Sequence, residues 1–197
     1  MPENLIENLP GQTPLTLDDL SGLIPSHITL RHELNEFEMV NITCAASKYL
    51  LSSKFWHLTD PKMVKKIHYD MFCDTWQWAG TYRRRDTNLG CDWRQISVQV
   101  KDVCADLVYW VENQTFDPVE TAIRFHHRLI CIHPFPNGNG RHGRFTADIF
   151  LHQQGLRPLT WGGSDLMRIG PNRDVYIAAM KAADDGDYQP LLQFAQS

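Results

Sequence analysis

The chain has 197 residues, 43% of them hydrophobic and 21% charged, with a net charge of −4 and an isoelectric point near 6.1. That is the composition of one globular domain. The acidic balance excludes a general nucleic-acid binder, which is usually basic, and the absence of any run of about 18 apolar residues excludes a membrane helix. Five cysteines, Cys44, Cys73, Cys91, Cys104 and Cys131, are an odd number without a Cys-x-x-Cys spacing. They are expected to be reduced and mostly to act as small buried hydrophobes, in a chain without a signal peptide whose default compartment is the cytoplasm.

Residues 1 to about 28 carry Pro2, Pro10, Pro14 and Pro25 and read as an irregular lead-in. Within it, Thr16-Leu17-Asp18-Asp19 has the spacing of a capping box. Gly22 should stop that helix after about one turn, leaving Leu17 and Leu20 to dock on the domain. A longer helix is expected from Thr29, its N-cap, to about Leu51. Its apolar stripe is Leu34, Phe37, Val40, Cys44 and Leu51, and Glu33 lies in the first turns, where the helix dipole favours an acid. Asp60-Pro61 pairs an N-cap with a first-turn proline. Met63, Val64, Ile67, Met71 and Phe72 continue at helical spacing, up to the aromatic Trp76-Gln77-Trp78-Ala79-Gly80. Arg83-Arg84-Arg85 reads as a solvated or target-facing loop.

Gln95 to Val100 alternates, with Ile96, Val98 and Val100 on one face, and is the one segment that reads as a strand. A lone hairpin is marginal in water, so it must lean on helices. Val103, Leu107, Trp110 and Val111 mark a helix ending near Asn113. Asp117-Pro118-Val119-Glu120 opens the next, which runs through Ile123, His126, Leu129 and Ile132 and is closed by Pro134. A helix from Arg141 to about His152 is stopped by Gly155, with Pro158 beyond it. Trp161-Gly162-Gly163 makes a loop, and helices follow from about Asn172 to Asp184 and from Pro190 to Ala195. The expected fold is all-α, a single domain with a small β-hairpin, divided into a lead-in over 1–59 and a core over 60–197.

The chemistry concentrates in His133-Pro134-Phe135-Pro136-Asn137-Gly138-Asn139-Gly140-Arg141-His142-Gly143-Arg144. Gly138 and Gly140 let the backbone turn tightly and bring its N–H groups close to a ligand. A glycine-lined turn feeding a helix N-terminus is an anion site, because free N–H groups and the helix dipole point the same way. Arg141 and Arg144 share a face of the first turn. Cations there are unfavourable to the helix and make sense opposite a polyanion such as a triphosphate. His133 stands beside this loop with the intrinsic pKa of a general base. Of the other histidines, His126 and His127 are adjacent and point about 100° apart on a helix, so no ligand spacing supports metal binding.

These residues resemble the signature of the Fic family, His-x-Phe-x-(Asp/Glu)-Gly-Asn-Gly-Arg-x-x-Arg. Every fixed position matches except the acid, which is Asn137. The stretch Trp78-Ala79-Gly80-Thr81-Tyr82-Arg83 is similar to the family pattern Trp-Ala-Gly-x-Tyr-Arg. The resemblance implies transfer of AMP from ATP to a Tyr, Thr or Ser hydroxyl of a target protein. It implies His133 as the base, Gly138, Asn139 and Gly140 on the phosphates, and Arg141 and Arg144 on the β- and γ-phosphates. Position 137 would hold Mg²⁺ or Mn²⁺, where an amide lacks the charge Mg²⁺ prefers. The hairpin would be the flap that pairs with a target segment.

Thr29 and Glu33 match the spacing of the family's inhibitory motif, Ser/Thr-x-x-x-Glu-Gly/Asn, although Leu34 departs from it. Glu33 would then hold the second motif arginine, Arg144; the plainer alternative is a helix capped by Thr29 with Glu33 in its early turns, where the dipole favours an acid. Tyr176 or Asn172 would touch adenine by analogy, with packing as the alternative for Tyr176. The Pro136-Asn137 loop looks like the branch called mobile mystery protein B. That implies a bacterial, toxin–antitoxin-like setting and an adjacent DNA-binding partner protein. Two other functions remain open: a Doc-like kinase that transfers the γ-phosphate, and a silenced nucleotide-binding module.

Overall fold

The structure is a computed structural model and describes residues 14–163, 166 and 170–197. Residues 1–13, which carry the lead-in's Pro2 and Pro10, lie outside the described residues. The helices are α1 (Leu17–Ser21), α2 (Arg31–Leu50), α3 (Pro61–Phe72), α4 (Ile96–Glu112), α5 (Pro118–Ile132), α6 (Asn139–Gln153), α7 (Pro171–Asp184) and α8 (Gln189–Gln196). Single 3₁₀ turns lie at Trp93–Gln95 and Trp161–Gly163. Among the described residues no helix is long and apolar enough to cross a membrane.

The starts of α1, α3 and α5 are set by side chains, whereas the N-cap of α2 is Leu30, without a side-chain cap bond, and not Thr29 as expected. Thr16 accepts the Asp19 N–H and the Asp19 carboxylate returns to the Thr16 N–H at 2.8 Å, closing the capping box of α1. Asp60 accepts the Lys62 N–H at 2.8 Å, and Asp117 accepts those of Val119 and Glu120 at 2.8 and 2.9 Å. Each cap of this kind contributes about 1 kcal/mol.

α5 and α6 form the centre and pack against each other, with α3, α4 and α8 around them. Ile123, Phe125, Leu129 and Ile132 of α5 and Ala147, Ile149 and Leu151 of α6 are buried. Gly143 lets the two helices approach, since a Cβ there would come within 2.9 Å of His126 Nδ1.

Several expectations are corrected. The strand expected over Gln95–Val100 is the start of α4. Ile96, Val100, Val103, Cys104 and Leu107 are its buried residues, a helical stripe, while Val98 is 53% exposed. Six residues were too short a window to tell the two periods apart. Among the described residues the only β-pairing is an isolated bridge between Leu23 and Trp76.

In α2 the apolar stripe is not the buried one. Val40, Cys44 and Leu51 are exposed, and the buried residues are Leu34, Glu38, Asn41, Ala45 and Tyr49. Of the cysteines only Cys104 is fully buried, and Cys44 and Cys131 are exposed. The arginine run is divided: Arg83 is buried, Arg84 is exposed, and Arg85 pairs with Asp19. In α1, Leu20 docks as expected but Leu17 is 69% exposed.

Candidate active site

α5 ends at His133, whose φ of 53° and ψ of 59° are left-handed. This conformation is costly for a residue with a Cβ. It breaks the helix and places the imidazole in the wall of a pocket at the N-terminus of α6. The loop that follows is closed by Asn139. The Phe135 N–H donates to its Oδ1 at 2.9 Å, and its Nδ2 donates to the Phe135 carbonyl at 2.8 Å.

Phe135 is fully buried and stacks on His68 with ring centroids 3.7 Å apart. The Gly80 N–H donates to His68 Nδ1 at 3.0 Å, so Nε2 carries the proton and donates to the Asn137 carbonyl at 3.0 Å. Gly138 has φ 79°, and a Cβ there would come within 2.7 Å of the Phe72 ring. Both its conformation and its fit therefore demand glycine.

Arg83 locks the other side. Its Nε donates to the His133 carbonyl at 2.7 Å, and its Nη2 donates to the carbonyls of Cys91 at 2.5 Å and Ile132 at 3.3 Å. Its Nη1 donates to the Arg85 carbonyl at 2.9 Å. Gly90 lies against the same spot, where a Cβ would approach that of His133 to 2.5 Å. The left-handed conformation of His133 is thus held by the Arg83 hydrogen bond to its carbonyl, with Gly90 packed against its Cβ.

Burial, then the nearby Arg83 charge, lowers the His133 pKa to about 4, against a hydrogen bond with the Ile130 backbone. The imidazole is neutral near pH 7, the form that accepts a proton. Among the described residues, Arg31, Arg141, Arg144 and Arg173 share the pocket lining with His133, and no carboxylate belongs to it. Four guanidinium groups beside a helix N-terminus define an anion site. Arg144 sits over the Tyr176 ring, 5.6 Å from its centroid, and the Tyr176 hydroxyl meets His126 Nε2 at 3.0 Å.

The residues expected from the sequence are brought together by the structure, with roles divided more finely. His133, Asn137, Gly138, Asn139, Gly140, Arg141 and Arg144 all line one pocket. The Asn139 side chain is engaged by Phe135, so its backbone is what it can offer a ligand. The Asn137 amide oxygen accepts the Gly138 N–H at 2.7 Å. Among the described residues of the lining no carboxylate is present, so Asn137 could offer a divalent ion only a neutral amide oxygen, already accepting one hydrogen bond. Tyr176 lines the pocket, whereas Asn172 donates to the Gly162 carbonyl at 2.9 Å.

Glu33 lies in the first turn of α2 and accepts the N–H groups of Thr29 and Leu30 at 3.1 and 3.0 Å. The α2 carboxylate that meets a motif arginine is that of Glu38, 2.7 Å from Arg141 and 3% exposed. Glu38 also accepts the Trp76 indole N–H at 2.7 Å. Arg83, His68 and Glu38 were not singled out as functional from the sequence. The final arginine of the Trp-Ala-Gly-x-Tyr-Arg stretch was a signal for Arg83. For Glu38 the only signal was an acid on a face that an apolar pattern did not explain.

The family model described as the Fic/DOC family matches residues 58–151. Among curated proteins the chain is similar to Probable protein adenylyltransferase aq_aa38 from Aquifex aeolicus. It is 35% identical over 88 residues, covering 44% of this chain and 25% of that protein. The chain therefore spans about a quarter of that relative's length. Among solved structures, a VirB-translocated Bep effector Fic domain from Bartonella quintana superposes with a TM-score of 0.67 at 20% identity, over 87% of this chain and 84% of that one. BepC from Bartonella tribocorum, solved with bound AMPPNP, gives 0.65 at 19% identity over 87% and 89%. These likenesses establish the fold.

Proposed function

From the Fic/DOC-family segment at residues 58–151, we propose that this chain is a protein adenylyltransferase, moving AMP from ATP to a Tyr, Thr or Ser hydroxyl of a target protein. The observation that carries it is a neutral, buried histidine beside a four-arginine pocket at a helix N-terminus. The name of the Aquifex aeolicus relative and the nucleotide bound by BepC support the same chemistry.

In this reading His133 takes the proton of the target hydroxyl as its oxygen attacks the α-phosphorus. The bond from that phosphorus to the bridging oxygen of the β-phosphate breaks, and diphosphate leaves. Arg141, Arg144 and the N–H groups at the start of α6 stabilise the charge that moves onto the leaving group. Any Mg²⁺ reaches the pocket as part of the nucleotide. A bound polyphosphate raises the His133 pKa toward the working range, because a nearby anion favours the charged imidazole.

We further read α2 as a restraint on this site. Glu38 competes with phosphate for Arg141, whose hydrogen bonds are then not all available for the nucleotide. Glu33, spaced like a family inhibitory acid, serves the same helix by capping it.

ATP labelled at either the α- or the γ-phosphate, with wild type and Glu38→Gln, tests both parts. Label reaching protein only from the α-position, and more of it in the variant, is the expected result. Label only from the γ-position would replace the proposal with a kinase. Equal transfer by both proteins would remove the restraint.

A further inference from the structure

Near the C-terminal end of α5, on side chains outside the lining of the arginine pocket, three metal-ligating groups converge. His127 and Cys131 stand one turn apart on α5, and Asp184 reaches them from the last turn of α7. His127 Nε2 is 2.9 Å from Asp184 Oδ1. Cys131 Sγ is 3.5 Å from His127 Nε2 and 3.4 Å from Asp184 Oδ1. The spacing of a tetrahedral zinc site can be calculated for comparison. Bonds of about 2.3 Å to sulfur and about 2.0–2.2 Å to nitrogen and oxygen give ligand–ligand edges of about 3.4–3.6 Å. Both edges to sulfur already have that length. The third is shorter because His127 and Asp184 are hydrogen-bonded to each other. Asp184 is 58% exposed and can move back by the difference.

The surroundings suit a metal in two further ways. The Tyr188 hydroxyl lies 3.1 Å from His127 Nδ1. With Nε2 as the ligand, Nδ1 carries the proton and donates it to Tyr188, the outer contact that orients a ligating imidazole. Tyr188 is itself held under the Arg124 guanidinium, 3.9 Å from its ring centroid. Cys131 and Asp184 are both exposed, so an ion can enter and a water can complete the coordination. The opposing charge is Arg128, whose guanidinium is paired with Asp106 at 3.0 Å.

We infer that His127 Nε2, Cys131 Sγ and Asp184 Oδ1 form a three-ligand site for a borderline-soft divalent cation, with zinc the best match to a sulfur, nitrogen and oxygen donor set. Binding releases the thiol proton to solvent and turns the His127–Asp184 hydrogen bond into two metal–ligand bonds. It also ties α7 to α5 two residues before His133. The site is separate from the proposed nucleotide chemistry and does not depend on it.

The test uses the whole chain, stripped with a chelator and titrated with Co²⁺, whose thiolate charge-transfer absorption reports sulfur ligation, and with Zn²⁺ against a chromophoric competitor. One Co²⁺ per chain with that absorption is expected, along with a Zn²⁺-dependent rise in Tm. Cys131→Ser should abolish the absorption, and Asp184→Asn, at an exposed position that leaves the fold intact by circular dichroism, should weaken Zn²⁺ binding at least tenfold. Cys44→Ser, at the other exposed cysteine, should change neither. The inference is overturned by an absent charge-transfer band, by a band that survives Cys131→Ser, by Zn²⁺ affinity unchanged in Asp184→Asn, or by a band that appears only with dimer formation.

Discussion

The segment from His133 to Arg144 and the helix α2 touch at one ion pair, Arg141 to Glu38, and are built in opposite ways. The loop closes on itself, because Asn139 holds both backbone groups of Phe135 only four positions away. α2 buries polar side chains whose partners are distant in the chain. Glu38 meets Trp76 and Arg141, and Asn41 meets the backbone of Asp70 and Asp74. A short-range network keeps its shape whatever docks beside it. α2 is docked by Leu34, Ala45 and Tyr49, which are buried in the core, while the Glu38–Arg141 pair adds little net stability because desolvation offsets the attraction. The loop is therefore specified locally, and the contact of α2 with it is specified by the tertiary packing.

The largest effect should come from the loop. His133→Ala should lower AMP transfer by about 10²–10⁴-fold, the usual contribution of a general base. ATP affinity, measured by calorimetry, should stay within a few fold. Comparable losses in both would make His133 a structural element of the pocket.

Arg83→Met tests what holds the loop from outside. It removes the Arg83 donor from the carbonyls of His133, Cys91 and Arg85 and one of the donors from that of Ile132, which should lower stability by roughly 3 kcal/mol. Arg84→Met, at an exposed neighbour, should stay within about 0.5 kcal/mol by chemical denaturation. Equal effects would mean that the buried network carries no special weight.

Acid should loosen the same region. Burial lowers the pKa of His126 to about 3 and those of His133 and His142 to about 4, and it places His68 well below its usual value. The unfolded chain takes up these protons near pH 6.5, before the folded one does. Stability is therefore full above pH 6.5 and falls as pH drops toward 4, by about 1.4 kcal/mol per unit for each histidine. Asp148, raised by burial to about 6, works in the opposite direction and offsets about one of them. Denaturation midpoints that stay level between pH 7 and 4.5 would contradict this arrangement.

The smallest effects separate the two acids of α2. Glu38→Gln should raise ATP affinity about tenfold, a gain of about 1.4 kcal/mol, by releasing Arg141. Glu33→Ala should slightly weaken α2 by removing the acceptor of the Thr29 and Leu30 N–H groups and leave ATP affinity unchanged. The reverse outcome would transfer the restraint to Glu33.

How much was legible follows from the range of the interactions. The N-caps at Thr16, Asp60 and Asp117 act within three residues, so their helices could be read directly from the sequence. The anion loop was legible for the same reason: its glycines, His133 and both arginines lie within twelve positions. α4 was misread at its start because Ile96, Val98 and Val100 satisfy a two-residue period over a window that ends before Val103 and Leu107 reveal the helix. The buried face of α2 was misread because burial there follows the needs of Arg141 and Trp76, not apolarity.

By itself, then, the sequence determined an all-helical domain and the placement of a base beside an anion loop. Short-range hydrogen bonds, caps and glycine conformations specify those features wherever the rest of the chain goes. Only the tertiary structure decided that Arg83 is a buried clamp, that Glu38 and not Glu33 meets a motif arginine, and that Cys131 and His127 face Asp184. Each of those contacts joins residues about 50 to 100 positions apart. No local pattern encodes such a pairing; the packing of α2, α3, α5, α6 and α7 makes it.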